Sequence, residues 1–284
     1  MKKNSLCKQA VHTPAVCLSV LTAGVLAVSI AELCLGPQSY SLAQLWNAFA
    51  QQSAADPVWR VLAYVRIPRL LAGLQAGAAL AVAGTLLQAV LNNAMASPNV
   101  IGVNSGAGFF ALLAAALVPE ALGAAQFASF LVGGLSGVTL KMLLFALPYL
   151  FVGVILAFWI DTDLNVLCLG DETASSLGLH VETIRFIGIL AAALLAGAAV
   201  SFAGLLSFVG LLAPHIARKI VGNDHRVLLP ASALLGAFCV VGCDLPARLL
   251  FAPFELPVGI LLSLIGGPFF LGLLLRHKGG RLYA

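Results

Sequence analysis

Eight stretches of this chain, near residues 14–36, 68–91, 100–118, 140–160, 186–204, 205–221, 228–248 and 258–276, are apolar over a length that can cross a membrane. A helical crossing of ~30 Å of hydrocarbon takes about 20 such residues, whereas a membrane barrel shows alternating segments of about ten, which this sequence does not contain. Composition agrees, with 61% hydrophobic and 9% charged residues and a mean hydropathy of +1.04, against about 25% charged residues in soluble domains. The sequence therefore predicts an all-α polytopic membrane protein, a single transmembrane domain over 1–284 built as a helical bundle of about eight spans. Residues 121–138 are apolar but Gly-rich and short. The basic start, MKKNSLCKQ, leads into a long apolar run with no clean cleavage site after it, so an uncleaved first helix is expected.

Charge placement gives a topology. With the N-terminus inside and eight spans, Lys2, Lys3, Lys8, Arg185, Arg218, Lys219, Arg226, Arg276, Lys278 and Arg281 fall on the cytoplasmic side. Arg60, Arg66, Arg69, Lys141 and Arg248 fall outside. That bias satisfies the positive-inside rule with both termini cytoplasmic. A ninth span over 121–138 would invert everything after it, so 119–140 is read as an external or re-entrant segment. The net charge of +4 follows from this topology and does not call for nucleic acid.

Chemistry-bearing constellations are missing. Cys7, Cys17, Cys34, Cys168, Cys239 and Cys243 form no CxxC pair and read as small hydrophobes. His12, His180, His215, His225 and His277 have no carboxylate or thiol at ligand or triad spacing. No catalytic residue, metal site or cofactor is expected. No charged residue falls at the midplane of an assigned span, where an ion-coupled transporter needs one. Energy must then come from a partner. Gly73, Gly77 and Ala81 recur every four residues, the spacing that lets helix backbones approach closely in lipid. Gln88, further along the same run, reads as an interhelical hydrogen-bonding group or as a residue lining a pathway.

One polar segment stands apart. Residues 165–185, with LGDETASSLGLHVETIR at 169–185, are acidic and lie between two membrane-length runs. Gly170 and Gly178 punctuate the segment into one or two short helices. An ordinary solvated connector would look similar in isolation.

Four ordered blocks carry a resemblance: VRIPRLLAGLQAGAALAVAGTLLQAVLNNAMASPNVIGVNSGAG (65–108), LNVLCLGDETASSLGL (164–179), FVGLLAPHIARKIVGNDHRVLLPASALLGA (208–237) and DLPARLLFAPFELPVGILLSLIGGPFFLGLLL (244–275). They resemble the FecCD-type permease subunits of ABC importers for iron-siderophores, haem and cobalamin. The resemblance implies a ten-span permease fold in the bacterial cytoplasmic membrane, and import of such a chelate with ATP hydrolysis on a separate subunit. Its implied partners are two copies of an ABC ATPase, an extracytoplasmic substrate-binding protein, and a second permease copy, identical or similar. It further implies that the 165–185 loop couples to the ATPase through Leu169, Gly170, Asp171, Glu172, Ala174, Leu177 and Gly178. Arg66, Arg69 and Arg248 would face outward and meet acidic residues of the binding protein. Two departures accompany it. Asn93, Ala94, Met95 and Ala96 stand where the family has Asn-Pro-Leu-Ala, although Pro98 remains. The stretch 133–150 resembles the lead into the family's sixth helix yet follows almost directly on the third, which implies an internal deletion removing the fourth and most of the fifth spans. A secondary transporter or channel, and a transport-dead truncated permease, are the alternatives.

Overall fold

The computed structural model of the protein describes residues 14–53, 55–98, 102–117, 130–250 and 254–278. Lys2, Lys3, Lys8 and Arg281 of the topology count, and the first half of the 121–138 stretch, lie outside them. Among the described residues the secondary structure is helical throughout. Six helices are long and apolar enough to cross a membrane: α1 (Pro14–Cys34), the run Pro57–Val90, α6 (Leu140–Trp159), α9 (Val181–Ala203), α11 (His225–Leu249) and α12 (Val258–Lys278). The two other expected spans are shorter. α5 covers Val103–Leu117, and 205–221 divides into an irregular lead and the 13-residue α10 (Val209–Val221). At 1.5 Å per residue α10 reaches only about 20 Å.

The run Pro57–Val90 is composite. Asp56 caps α3 (Pro57–Val61) by accepting from the Val58 amide at 2.9 Å, and a π-turn over Leu62–Arg66 joins it to α4 (Ile67–Val90). Before it, α2 (Leu42–Gln51) starts with a reciprocal Ser41–Gln44 capping box. α4 is the axis of the molecule, surrounded by α9, α10 and α11, and nearly all of its residues from Ala72 to Val90 are buried. The small residues explain why. A Cβ added to Gly77 would lie 2.3 Å from the Gly236 carbonyl oxygen of α11, and one on Gly84 would lie 1.8 Å from the Gly210 oxygen of α10. These helices touch backbone to backbone, the contact on which membrane packing depends when lipid supplies no hydrophobic drive.

α6 rests on α9 through the single stripe Leu143, Ala146, Leu150, Gly153 and Ala157, and large residues such as Phe145, Phe151 and Ile155 are exposed on its other faces. Between α5 and α6, the described part of the expected re-entrant segment is tied to the bundle by backbone hydrogen bonds, with Leu131 and Val132 exposed. The Phe130 carbonyl accepts from the Leu205 amide at 2.9 Å, the Gly134 amide donates to Ala203 at 3.0 Å, and the Gly133 carbonyl accepts from the Gly259 amide at 3.0 Å.

The polar loop folds as two short helices, α7 (Asp161–Leu167) and α8 (Asp171–Ser176). Gly170 at φ +104° and Gly178 at φ +85° bracket α8, a left-handed backbone that only glycine adopts without strain.

Candidate functional site: the polar loop and a buried ion network

Two polar assemblies sit at opposite ends of the α4–α11 pair. At one end α7 and α8 pack inward through Leu164, Leu167 and Ala174, all buried, while Leu169 and Leu177 are 63% and 65% exposed. Asp171 and Glu172 are exposed between these two leucines. Large exposed apolar side chains beside acids are the pattern of a candidate interaction surface. Ala174 is not part of that surface. It is fully buried and receives the Leu179 amide on its carbonyl at 3.0 Å, so it anchors the loop.

Two clasps tie this loop to the bundle. Arg185, in the first turns of α9, bridges both Asp171 oxygens at 2.9 and 3.1 Å and Glu182 at 3.0 Å, and donates through Nε to the Val90 carbonyl at the end of α4 at 3.4 Å. From α7, Asn165 donates to Asp224 at 2.8 Å and accepts from the His225 amide at 2.9 Å, while Thr162 accepts from the Arg226 guanidinium at 3.0 Å. Asp224 caps α11. The Asn165 amide, and then the Arg226 backbone N–H, hold its carboxyl below the usual carboxylate range. Deeper in, Gln88 is 3% exposed and bridges α4 to α10, donating to the Gly210 carbonyl at 3.3 Å and accepting from Arg218.

At the other end the expected outward rim of arginines needs correction. Arg66, Arg69 and Arg248 are 4%, 5% and 3% exposed. Arg66 donates to the Leu33 and Gln38 carbonyls and lies 4.6 Å over the Tyr40 ring. Arg69 grips Asp244 through Nε at 2.7 Å and Nη2 at 3.0 Å, and Glu255 through Nη1 at 2.6 Å. Arg248 meets Glu32 at 2.5 Å and Asp244 at 3.5 Å. The physical reason is the depth of these residues in their helices. A guanidinium buried among helix ends cannot stay unpaired, and acids at the same depth on α1 and α11 satisfy it. Glu255, with 39% of its side chain exposed, is the network's most accessible member. Burial pushes its carboxyl up, but bonds from Arg69 and Ser136 outweigh that and hold it below the usual range.

Glu32, Asp244 and Glu255 were not singled out from sequence. The available signal was positional, since Glu32 and Asp244 lie in the final turns of their apolar runs, at the depth where Arg69 opens another. Among the described residues no group of three His, Cys, Asp or Glu side chains is placed to hold a metal ion.

Comparison with known proteins places these features in context. The FecCD transport family matches residues 23–131 and 120–276, in two pieces that meet at 120–131. An iron(3+)-hydroxamate import system permease protein of Bacillus subtilis is 34% identical over 91% of this chain and 85% of its own length. A hemin transport system permease protein of Yersinia pestis is 33% identical over 87% and 91%, and a vitamin B12 import system permease protein of Vibrio cholerae is 33% identical over 90% and 91%. The alignment with the B. subtilis protein runs over 328 positions, more than the 284 residues available here, so that relative carries residues without counterpart in this chain. Among solved structures, a metal-chelate type ABC transporter in an inward-facing conformation superimposes with a TM-score of 0.77 at 27% identity, covering 93% of this chain and 100% of that one.

Proposed function

Because the chain belongs to the FecCD transport family, we propose that it is the transmembrane permease subunit of an ATP-driven importer that moves an iron-siderophore, haem or cobalamin-like chelate across a bacterial cytoplasmic membrane. The single observation that carries the reading beyond family membership is the loop at 169–178. Its exposed Leu169 and Leu177 flank two acids on a short helix that Arg185 clasps to α4, while Asn165 of the preceding α7 clasps the loop to α11. In this reading the loop lies in the cytoplasm and seats in a groove of a separate ATPase, two copies of which serve a pair of permease chains. Both chain termini are cytoplasmic, and the permease itself hydrolyses nothing. Closure of the ATPases displaces α7 and α8. The Arg185 and Asn165 clasps pass that displacement to the inner ends of α4 and α11, shifting the protein between two states that the nucleotide binds differently.

The opposite end faces outward and receives the substrate-binding protein. Arg66, Arg69 and Arg248 shape that face by holding the helix ends together, and Glu255 is the network charge that reaches solvent.

A second reading, a transport-dead scaffold that still binds its partners, is favoured by one observation, the family match falling in two pieces that overlap at 120–131. Purification with the ATPase, followed by uptake into proteoliposomes, separates the readings. Co-purification with ATP-dependent uptake supports the importer, co-purification without uptake supports the scaffold, and uptake driven by an ion gradient with no ATPase bound refutes both.

A further inference from the structure

The non-helical segment 204–208 lies at a depth where a membrane protein rarely keeps irregular backbone. Just before it, Ala203 bonds Gly134, and the neighbouring Leu135 packs within 3.3 Å of the Cβ position of Gly73, near the outer end of α4. Just after it, Gly210 touches Gly84, fewer than two turns from the inner end of α4. The segment thus runs down inside the bundle before α10 begins. Such backbone is tolerated at membrane depth only where protein buries it or where it lines a watered cavity, and interrupted helices of this kind mark binding regions in transporters.

Here the segment does line a cavity, of about 380 Å³, bounded by Leu131, Leu205, Ser207, Gly259, Ile260 and Ser263. It is the meeting place of three chain segments, tied by the Leu205–Phe130 and Gly259–Gly133 backbone bonds. Among the described residues neither serine hydroxyl has a hydrogen-bond partner, and Ser263 is exposed while Ser207 is half-buried. No charged side chain lines the cavity. Phe208, at φ +67°, closes the run in a left-handed conformation before α10 starts, the kind of backbone strain that collects at ligand clamps and switch regions.

We propose that this cleft is a contact point for the oxygen-rich shell of the transported chelate, with Ser207 and Ser263 as its hydrogen-bonding residues. Hydroxyls both donate and accept, so they engage carboxylate, hydroxamate or amide oxygens alike without the tight grip of a buried charge. Weak, uncharged contacts suit a pathway, where a solute must leave as readily as it enters. The site rests on the importer reading above and assigns it a solute-facing surface on α12 and the α9–α10 break.

The test uses the full chain in membranes with its ATPase. Single cysteines replace Ser207, Ser263 and, as a control on an exposed apolar face of the α12 span that the reading turns to lipid, Leu264, which is 70% exposed, in a background with the native cysteines removed. A water-soluble maleimide should label Cys at 207 and 263 at least about tenfold faster than Cys at 264, because thiolate forms readily only near water. Ferric citrate, a ferric trihydroxamate and haemin are then added in turn, and whichever is taken up in the transport assay should slow labelling at both serine positions. Ser207→Ala with Ser263→Ala should raise the KM for that solute by about two- to tenfold per lost hydrogen bond while leaving kcat and ATPase co-purification unchanged. Labelling no faster than at 264, or no protection and an unaltered KM with a solute that is carried, overturns the site. If none of the three is carried, the importer reading loses its support while the labelling comparison still decides whether the cleft is watered.

Discussion

Asp244→Asn tests whether the arginine network holds these helix ends together or waits for a partner. Asp244 is the shared anion of the network, receiving Arg69 at 2.7 and 3.0 Å and Arg248 at 3.5 Å, with only 2% of its side chain exposed. Neutralising it leaves Arg248 with Glu32 and Arg69 with the half-exposed Glu255. A unit pair at 4 Å and an effective dielectric of about 20 is worth about 4 kcal/mol. Removing one member of a buried pair costs about 3–5 kcal/mol, mostly through the charge left behind. We expect a destabilisation of that size in the isolated chain, read from denaturant unfolding in mixed micelles by tryptophan fluorescence. A second substitution, Arg69→Gln, removes the stranded charge, so the double variant should be less destabilised than the two single losses added together, by about 0.5–3 kcal/mol. An Asp244→Asn midpoint unchanged within about 0.5 kcal/mol, or a double variant that is simply additive, would refute the claim that these arginines act within the chain.

Gly84→Leu should prevent α10 from docking on α4, since even a Cβ at that position meets the Gly210 oxygen at 1.8 Å; overpacking of this kind costs about 1–3 kcal/mol, and wild-type unfolding behaviour would contradict the contact. Leu177→Glu should abolish ATPase co-purification while leaving stability intact, because Leu177 is exposed. Ala174→Trp, at a fully buried position, should lower stability as well, and equal stability in the two variants would erase the distinction between surface and anchor. The Glu255 carboxyl is held below its ordinary range, so its contribution to stability is present above the usual glutamate pKa of about 4.3 and is lost as pH falls through its lower folded value. Glu255→Gln should flatten the acid limb of a stability–pH curve, and an identical limb in both proteins would count against the pairing.

Hydropathy located the long helices because each is one uninterrupted apolar run, and the glycines at 170 and 178 located the breaks around α8 because their backbone is left-handed. The same signal misread 205–221. An extended apolar segment and the helix after it have the same composition, so the join at Phe208 is invisible to a hydropathy window. The ion network was hidden for a different reason: Arg69 and Asp244 are 175 residues apart, and no local pattern announces that two span ends share a depth. Ala174 was placed with the loop's contact residues because the motif that includes it does not distinguish the outer face of a six-residue helix from its inner one.

The α4–α11 pair is joined backbone to backbone at the Gly77–Gly236 contact and by Arg69–Asp244 at one end, and at the other end the Arg185 and Asn165 clasps fasten the polar loop to α4 and to α11 respectively. Such a pair behaves as a strut. A strut does not bend to let a solute past, so a displacement applied at one end arrives at the other as a tilt. The compliance has to come from a jointed piece beside it, the unwound 204–208 stretch. In mechanical terms the shared hinge of the molecule is the irregular backbone, and the glycine-packed core is the rigid arm that swings about it.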